Sequence, residues 1–267
     1  MKVYCNGNIV DKSQVAEIFE PGFLFGWGLF EPFRAYRGNI PFLKKHITRL
    51  NQGLDLIGIE SVGKDWETEI KSLLKENELE DAYIRITVYK KRKGVGVLLY
   101  VDKFGYYSSE VYEKGFSAIV SSHRRCGKDL LSKLKSISYL RNRISWLEAQ
   151  RKGKEEALVI NPKCFLAGGS RSNLFLVKDK EVFTPRLEDG AFDGITRRVV
   201  IDIVKELGLI LKEKEFRVED IHASEEAFVT SSLMEVMPLV EVEDKKIGKG
   251  VPGEVTLKIL SEYRKKL

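Results

Sequence analysis

The spacing of hydrophobic residues predicts two helices in the first third of the chain. Within 47–57, apolar residues recur at intervals of three and four, which indicates a helix with one buried stripe. The segment 66–74 has the same spacing and indicates a second helix. Clusters of β-branched and aromatic residues, separated by turn signals such as Asn6-Gly7 and the segment 37–39 (RGN), predict strands around the helices. The predicted strands are 3–5, 9–10, 33–36, 40–43, 83–89 and 95–102.

Helical and strand-like patterns alternate in the second half of the chain. Helices are indicated at 136–152, at 196–207 and at 253–266, and Gly208 supplies a stop for the second of them. This mixture of elements predicts an α+β fold. Short apolar segments predict four strands, at 116–121, 157–160, 173–177 and 227–230.

The chain divides into two predicted domains. Between 106 and 133 the hydrophobic pattern loosens into polar and basic residues, apart from one short strand, and this places a domain junction in that stretch. We therefore predict a small N-terminal domain at 1–110, a linker at 111–125 and a larger C-terminal domain at 126–267.

The composition is that of a folded protein. Of the 267 residues, 43% are hydrophobic and 10% aromatic, which is enough to fill the cores of two modest domains. The longest apolar runs, at 157–160 and 207–211, are too short to cross a bilayer, and the N-terminus lacks the apolar core of a signal peptide. Cys5, Cys126 and Cys164 are too widely spaced to indicate a disulfide framework or a metal site. We expect a soluble cytoplasmic protein.

The net charge raises the question of an anionic partner. The chain has 45 Lys and Arg residues against 39 Asp and Glu residues, a net charge of +6, and a basic surface can bind nucleic acid. The basic runs at 90–93 and 264–266 are short, however, and acidic residues are spread through the same segments. We therefore expect a small-molecule ligand, with neither nucleic acid nor membrane as a partner.

Two segments contain residues that suit a phosphate group. Backbone N–H groups at the start of a helix, together with hydroxyl or cationic side chains, satisfy phosphate oxygens. Gly194, Ile195 and Thr196 open the helix predicted at 196–207, and the segment 230–232 (TSS) ends an apolar strand. Each segment can equally be an ordinary helix cap or strand end, so spacing alone does not decide between the two roles.

Three basic or titratable residues are candidates for a cleft. His46 and Arg49 lie three residues apart on the first helix and away from its apolar stripe, so they face either a cleft or solvent. Lys135 precedes the helix predicted at 136–152. A desolvated lysine loses its proton readily and becomes a nucleophile for aldehydes. Spacing does not distinguish Lys135 from the other lysines in this respect.

A series of short motifs runs in order through nearly the whole chain. One group comprises KSISYLRN at 135–142, EA at 148–149 and GKEEA at 153–157. Further blocks are FGWGLFE at 25–31, HITRL at 46–50, SNLF at 172–175, TP at 184–185, GITR at 194–197, EEAF at 225–228 and EVMP at 235–238. Together they resemble the class IV aminotransferase family, the fold-type-IV enzymes that use pyridoxal 5'-phosphate (PLP). That family contains branched-chain and D-amino acid aminotransferases and aminodeoxychorismate lyase.

The resemblance implies a cofactor and the residues that hold it. It implies PLP, with Lys135 binding the aldehyde and moving a proton between the substrate Cα and the C4' atom. Tyr139 is implied to lie near the ring hydroxyl. The other residues implied to contact the cofactor, mainly through its phosphate, are Arg49, Gly194, Ile195, Thr196, Ser231 and Ser232.

The resemblance also implies the substrate pocket and the shape of the molecule. Phe30, Glu31, Tyr83 and Arg85 correspond to positions that line the substrate pocket. The implied fold is a small N-terminal α/β sandwich followed by a larger C-terminal domain with a barrel-like sheet flanked by helices. The implied assembly is a homodimer in which the small domain completes the neighbour's site.

The sequence departs from the family pattern at position 168. The family usually has a glutamate there, whose carboxylate keeps the pyridine nitrogen of PLP protonated, whereas this chain has Gly168. Without a carboxylate the ring is a weaker electron sink. One hypothesis is that Arg171 turns toward the ring nitrogen. The other is that Arg171 is a surface or loop residue and that water or another group meets the nitrogen.

The expected activity is transfer of an amino group between an amino acid, branched-chain or small and apolar, and a 2-oxo acid. Pro32 cannot donate a hydrogen bond and stands where the lyase subgroup often has a threonine. The segments 30–36 and 83–85 look more like those of branched-chain aminotransferases. Three alternatives stay open: aminodeoxychorismate lyase, giving 4-aminobenzoate and pyruvate, a D-amino acid aminotransferase, and a PLP-binding protein of low activity.

Overall fold

In the computed structural model, which describes residues 1–105 and 107–267, the N-terminal part of the chain forms a three-stranded antiparallel sheet with two helices packed on it. The predicted hairpin at Asn6-Gly7 precedes this sheet, and both turn residues have positive φ. A 3-10 helix at Lys12–Phe19 follows the hairpin. The other elements are β1 (Lys2–Cys5), β2 (Asn8–Asp11), α1 (Pro21–Phe25), β3 (Gly28–Ala35), α2 (Leu43–Leu56), α3 (Trp66–Glu76), β4 (Ala82–Lys90) and β5 (Val95–Lys103).

The side chains of β4 point alternately to the apolar core and to the opposite face of the sheet. Ile84, Ile86 and Val88 are fully buried among the apolar side chains of α2 and α3. Side chains alternate between the two faces of a strand. Tyr83 and Arg85 therefore point away from this core and are available to a ligand.

The C-terminal part is built on a nine-stranded mixed sheet that curls into a half-barrel. Its elements are α4 (Ser109–Lys114), β6 (Phe116–Arg124), α5 (Leu130–Lys133), α6 (Leu140–Arg151), β7 (Glu156–Ile160), β8 (Leu166–Gly169), β9 (Asn173–Lys178), β10 (Glu181–Thr184), α7 (Ile195–Glu206), β11 (Ile210–Glu213), α8 (Val218–His222), β12 (Glu226–Ser231), β13 (Glu235–Val242), β14 (Lys245–Lys246) and α9 (Glu254–Arg264). The strand order is β11-β10-β9-β12-β13-β6-β7-β8, with β14 paired to β13. The strand β6 runs parallel to both of its neighbours, β13 and β7.

The start of β9 and the end of β12 lie side by side at one rim of this sheet. Asn173 pairs with Thr230 there. Farther along the same strands, the rings of Phe175 and Phe228 stack 4.9 Å apart in the core and fix the register. Gly194, which precedes α7, packs against Asn173. The polar ends of two strands and the N-terminus of a helix are thus brought together at the rim.

A buried ion cluster joins the small sheet to the large one. Glu235, 4% exposed at the start of β13, accepts hydrogen bonds from Nη1 of Arg34 at 2.9 Å and from the hydroxyl of Tyr36 at 3.3 Å. Nε of Arg264 in α9 donates to its other carboxylate oxygen at 2.7 Å. Glu235 therefore neutralises two cations that belong to different parts of the chain.

Changing Glu235 to glutamine should lower the free energy of unfolding by about 3 kcal/mol, because it leaves Arg34 and Arg264 without their carboxylate. Urea denaturation measures this change. Glu181→Gln is the control, since its partner Lys212 is 51% exposed and a surface pair of this kind contributes at most about 1 kcal/mol. Equal losses in the two variants would contradict the role given to the buried cluster.

The α+β fold is confirmed, and most predicted elements match the structure within a few residues. The strand predicted at 40–43 is wrong: Pro41 lacks the N–H group that strand pairing needs, and α2 begins at Leu43. The helix predicted at 136–152 begins only at Leu140. The segment before it is instead held in an extended conformation by backbone contacts with β3.

Most of the predicted linker 111–125 is occupied by β6, which pairs with two strands of the large sheet. This segment is therefore part of the nine-stranded sheet. Residue 106, where the loosened pattern begins, lies outside the described residues. We propose a domain boundary between the end of β5 and the start of β6. Over the two described ranges, no helix has the length and apolar character needed to cross a membrane.

Candidate active site

A cavity of about 380 Å³ lies between the small sheet and the rim of the large sheet. Strands β3 and β4, the segment before α6, the loop after β8, the N-terminus of α7 and the segment after β12 all contribute to its wall. Every charged side chain among the described residues of this wall is basic. These side chains are Arg49, Arg85, Arg125, Lys135, Arg141, Arg143 and Arg171. The cavity therefore suits an anionic ligand.

Lys135 lies in an extended segment beside β3. Its carbonyl accepts a hydrogen bond from the N–H of Phe30 at 2.8 Å. The next residue, Ser136, forms an antiparallel bridge with Leu29. These backbone contacts delay the start of the helix predicted at 136–152, and they fix the position from which the Lys135 side chain enters the cavity.

The amine of Lys135 is surrounded by aromatic rings. Its Nζ lies 5.0 Å from the ring centroid of Phe192 and 5.7 Å from those of Phe30 and Tyr139. Burial, assisted by the positive charge of Arg49, lowers the pKa of Lys135 to about 8. A neutral amine is therefore available near physiological pH, as an aldehyde-binding nucleophile or a general base requires.

The N-terminus of α7 forms one wall of the cavity. The N–H groups of Ile195 and Thr196 lie in the first turn, where a helix provides no internal acceptor. A Cβ atom at Gly194 would lie 2.2 Å from Oδ1 of Asn173, whose Nδ2 donates to the carbonyl of Phe192 at 2.6 Å. A side chain at this position would displace Asn173, so glycine keeps the start of α7 in place and its first-turn N–H groups available to an anion.

Gly194→Ala should weaken the binding of PLP by on the order of tenfold, because the added methyl group displaces Asn173 and shifts the first turn of α7. Quenching of protein fluorescence during PLP titration measures the affinity. Gly63→Ala is the matched control, since a Cβ atom there meets open space. Equal affinities in the two variants would show that the α7 N-terminus does not hold the phosphate.

A hydroxyl cluster at the end of β12 forms a second wall. Thr230 is 1% exposed, and its Oγ1 has no hydrogen-bond partner among the described residues. Oγ of Ser231 accepts from the N–H groups of Leu233 and Met234 at 3.4 Å and 3.2 Å, so its own proton can be donated elsewhere. A buried hydroxyl without a partner is destabilising unless a ligand satisfies it. This cluster and the α7 N-terminus together fit a phosphate group.

Glu31 lies behind the cavity wall and holds Arg49. Its carboxylate accepts hydrogen bonds from Nε and Nη2 of Arg49 at 2.8 Å and 2.6 Å and lies 2.7 Å from Nδ1 of His46. Burial alone would raise the pKa of Glu31, but Arg49 and His46 outweigh it and lower this pKa to about 2. Nη1 of Arg49 donates to the carbonyl of Asp193 at 3.0 Å, just before α7. Glu31 therefore positions Arg49, and its carboxylate is not presented to a substrate.

His46 connects Glu31 to Ser232. It is 1% exposed, so the solvated helix face considered for this residue is wrong. Burial lowers the pKa of His46 against the opposing effect of Glu31, and the ring is neutral. Since a carboxylate only accepts, the proton lies on Nδ1, and Nε2 accepts from the Ser232 hydroxyl at 3.3 Å. The hydroxyl of Ser232 is therefore directed to His46.

The other residues predicted to contact the PLP ring or the substrate lie together on one side of the cavity. Phe30 and Tyr139 pack edge to face with centroids 5.2 Å apart, and the hydroxyl of Tyr139 donates to the carbonyl of Ser170 at 3.4 Å. The guanidinium of Arg85 lies 3.9 Å from the centroid of the Phe30 ring, and Tyr83 lines the same wall. A planar ligand would be bordered by aromatic rings on this side.

Two arginines lie near position 168. Nη2 of Arg171 donates to the carbonyl of Glu155 at 3.1 Å, and its guanidinium lies 5.0 Å from the ring of Trp146. Arg125 is 8% exposed, and its Nη1 lies 3.8 Å from where a Cβ atom at Gly168 would stand. Sequence reasoning missed Arg125. The available signal was a pair of adjacent arginines, Arg124 and Arg125, at the end of a strand.

The sequence that builds this cavity matches a known protein family. The family described as amino-transferase class IV matches residues 28–242, a range that contains every cavity residue named above. The chain belongs to the class IV aminotransferase family. The resemblance drawn from the sequence motifs is thereby confirmed.

Relatives that are named for different reactions align with nearly the whole length of this class IV aminotransferase. A protein of Methanocaldococcus jannaschii, provisionally named a branched-chain-amino-acid aminotransferase, is 33% identical over 280 residues, covering 99% of this chain and 96% of its own. The aminodeoxychorismate lyase of Bacillus subtilis is 31% identical over 280 residues, covering 99% and 94%. The solved branched-chain aminotransferase of the archaeon Thermoproteus uzoniensis with norvaline has a TM-score of 0.83 at 30% identity, covering 99% and 94%.

Class IV aminotransferases use PLP, so the predicted cofactor is confirmed at the level of the family. PLP presents a phosphate, an aldehyde and a pyridine ring to its protein. The cavity provides a group suited to each of the first two. The Thr230 hydroxyl, which has no partner among the described residues, lies beside the α7 N-terminus, and the amine of Lys135 has a pKa lowered to about 8. The residues of this chain therefore fit the cofactor of the family.

Proposed function

We propose that this class IV aminotransferase moves an amino group between an amino acid with a branched or small apolar side chain and a 2-oxo acid. The proposal rests on the amine of Lys135, whose pKa is lowered to about 8 in a cavity that also fits a phosphate group. The names of the Methanocaldococcus jannaschii relative and the Thermoproteus uzoniensis structure support the substrate class. Pro32, which cannot donate a hydrogen bond, favours amino transfer over the lyase reaction.

PLP would be held at two ends of the cavity. Its phosphate would accept from the first-turn N–H groups of Ile195 and Thr196 and from the hydroxyls of Thr230 and Ser231. Arg49 would add positive charge near the same end, since it reaches the backbone just before α7. The aldehyde would meet the amine of Lys135, with the ring between the aromatic side chains of the cavity.

Lys135 would move the proton in the reaction. PLP, when bound, supplies an electron sink for the negative charge that develops at the substrate Cα. The free amine of Lys135 would take the proton from Cα and return it at C4'. Because its pKa is lowered to about 8, about half of this amine is neutral at pH 8. The backbone contacts with β3 fix its reach. The rings of Phe30, Tyr139 and Phe192 would exclude water from its surroundings.

The substrate would lie against β4 and the segment after β12. Arg85 and Tyr83 point from β4 into the cavity and would bind the substrate carboxylate, because a guanidinium pairs well with a carboxylate. Phe30, Leu233 and Met234 supply apolar surface for a side chain. This combination favours an amino acid with an apolar side chain.

We also propose that the protein is a homodimer. On α6, Leu140, Ile144 and Leu147 form an apolar stripe at helical spacing, and they are 68%, 37% and 37% exposed. Exposed apolar patches of this kind mark protein interfaces. Sedimentation equilibrium should give twice the chain mass of 30.5 kDa, and Leu140→Glu combined with Ile144→Glu should give the monomer. A monomeric parent protein would contradict this assembly.

We place the enzyme in the cytoplasm. Cys5, Cys126 and Cys164 are all free thiols. Free cysteines are typical of proteins in a reducing compartment such as the cytoplasm.

The test of the function is a spectral titration of the purified protein loaded with PLP. L- and D-enantiomers of leucine, valine and alanine are added one at a time, and conversion of the cofactor absorbance to that of the pyridoxamine form is followed. We expect conversion by L-leucine and L-valine, and reversal by the matching 2-oxo acids. The Lys135→Met variant is the control and should show no conversion.

Each alternative gives a different result in the same experiment or a simple extension of it. Conversion by D-amino acids alone would indicate a D-amino acid aminotransferase. Formation of 4-aminobenzoate and pyruvate from aminodeoxychorismate would indicate the lyase. Stable PLP absorbance with every amino acid and with aminodeoxychorismate would indicate a PLP-binding protein of low activity.

A further inference from the structure

The backbone at Gly168 disfavours any residue with a side chain. Its φ of +114° belongs to a region that favours glycine, and a Cβ atom there would lie 3.0 Å from the carbonyl oxygen of Ser172. The side-chain atom nearest to this Cβ position is Nη1 of Arg125, at 3.8 Å. The guanidinium of Arg125 therefore stands beside the space that a side chain at position 168 would enter.

Arg125 is held rigidly by the strand on which Gly168 lies. Its Nη1 donates to the carbonyl of Ala167 at 3.3 Å and its Nη2 to the carbonyl of Gly169 at 2.9 Å. These two carbonyls flank Gly168 and fix the plane of the guanidinium. A guanidinium has five N–H groups, so donors beyond these two remain for a ligand in the cavity that Arg125 lines. Arginine stays protonated even when buried, so these groups donate and do not accept.

The acidic residue nearest to this strand is turned to other partners. Glu156 is fully buried, and its carboxylate accepts from the hydroxyls of Ser170 and Ser172 and from the N–H group of Ala157. The charged side chains of the described cavity wall are all basic. A heterocyclic nitrogen in this cavity would therefore meet a cationic hydrogen-bond donor, and a proton on that nitrogen would be repelled.

We propose that Arg125 donates a hydrogen bond to the ring nitrogen of PLP and keeps that nitrogen unprotonated. The proposal rests on the function proposed above, which places the phosphate at α7 and the aldehyde at Lys135. In PLP the ring nitrogen lies across the ring from the carbon that bears the aldehyde. Arg125 and the backbone around Gly168 provide a polar wall for it, whereas Arg171, the other arginine near position 168, donates to the carbonyl of Glu155.

An unprotonated ring nitrogen changes what the other residues must do. The ring withdraws less charge from the substrate Cα, so less negative charge can build up there during proton transfer. Lys135 must then pass the proton between Cα and C4' with little delay. Side reactions that need a long-lived charge at Cα, such as racemisation, would be suppressed. Arg125 would thereby favour transfer over its competing reactions.

The decisive measurement is the nitrogen NMR shift of PLP labelled with ¹⁵N in the ring and bound to the parent protein. Borohydride reduction and peptide mapping first establish that the cofactor is attached to Lys135. We expect the shift of an unprotonated, hydrogen-bonded pyridine throughout pH 6 to 9. PLP attached to Lys135 with the shift of a pyridinium would overturn this proposal alone. PLP that does not attach to Lys135 would overturn the proposed function, and this proposal with it.

Variants at two adjacent arginines test whether Arg125 is the residue responsible. In Arg125→Met the bound ring nitrogen should become titratable in the same pH range, and the PLP dissociation constant should rise by on the order of tenfold. Arg124→Met is the matched control, since Arg124 bonds the carbonyl of Asn161 instead and should leave both quantities unchanged. An unaltered nitrogen shift in Arg125→Met would refute the assignment. If that variant does not fold, the shift in the parent protein still decides the protonation state.

Discussion

Methionine in place of Lys135 should remove amino transfer almost completely and, at the same time, stabilise the protein that carries no cofactor. Turnover should fall by on the order of 10⁴-fold, because the variant lacks both the amine that binds the aldehyde and the base that moves the Cα proton. Formation of 2-oxo acid from L-leucine measures this loss. Methionine retains most of the length of the lysine stem, so the packing of the cavity changes little.

The gain in stability follows from the pKa of Lys135. The ordinary value is 10.5, which applies to the unfolded chain, whereas the folded protein lowers the pKa to about 8. Between these two values the unfolded chain binds more protons, so folding is disfavoured below pH 8 and the deficit is recovered as the pH rises to 10.5. Removing the amine should therefore raise the free energy of unfolding at pH 7 by about 3 kcal/mol.

Lys133→Met is the matched control for both measurements. Lys133 lies two residues earlier, at the end of α5, and its side chain is exposed. Its loss should affect neither turnover nor the urea midpoint. If Lys135→Met retained a tenth of the parent turnover, Lys135 would not be the base. If it were inactive yet no more stable than the parent at pH 7, the amine would not be desolvated as described.

The elements that the sequence predicted well are those set by local periodicity. The apolar stripe within 47–57 belongs to α2, and the alternating strand predicted at 83–89 is β4. In each case the residues that define the pattern are near neighbours along the chain, and burial of one face fixes the element. The segment after Lys135 has a helical pattern but is extended, because two backbone contacts hold it beside β3.

The site was predicted in part. The motif resemblance selected Lys135 and the α7 N-terminus, and the cavity brings both together. The role of Glu31 could not be foreseen, since it depends on Arg49, 18 residues away, turning back onto it. Arg125 was missed for the same reason. Its two carbonyl partners lie 42 and 44 residues farther along the chain, and only the folded sheet brings them beside its guanidinium.

Glu31→Gln should destabilise the protein and loosen the cofactor together. The carboxylate of Glu31 is 1% exposed and neutralises Arg49, so an amide in its place leaves a largely buried guanidinium without its counterion. The free energy of unfolding at pH 7 should fall by about 4 kcal/mol. Arg49 would also lose the bidentate contact that fixes it beside α7, and the PLP dissociation constant should rise by on the order of tenfold.

The pH dependence distinguishes this charge effect from a simple packing defect. Folding lowers the pKa of Glu31 from an ordinary value of 4.5 to about 2, so its contribution is complete above pH 4.5 and is lost as the pH falls toward 2. The stability difference between the parent and Glu31→Gln should therefore narrow over that range. Glu17→Gln is the control, because the Glu17 carboxylate is exposed and should affect stability little at any pH. A difference between parent and Glu31→Gln that stayed constant from pH 7 to pH 2.5 would mean that shape, not charge, accounts for the loss, and Glu31 would then no longer be the counterion that positions Arg49.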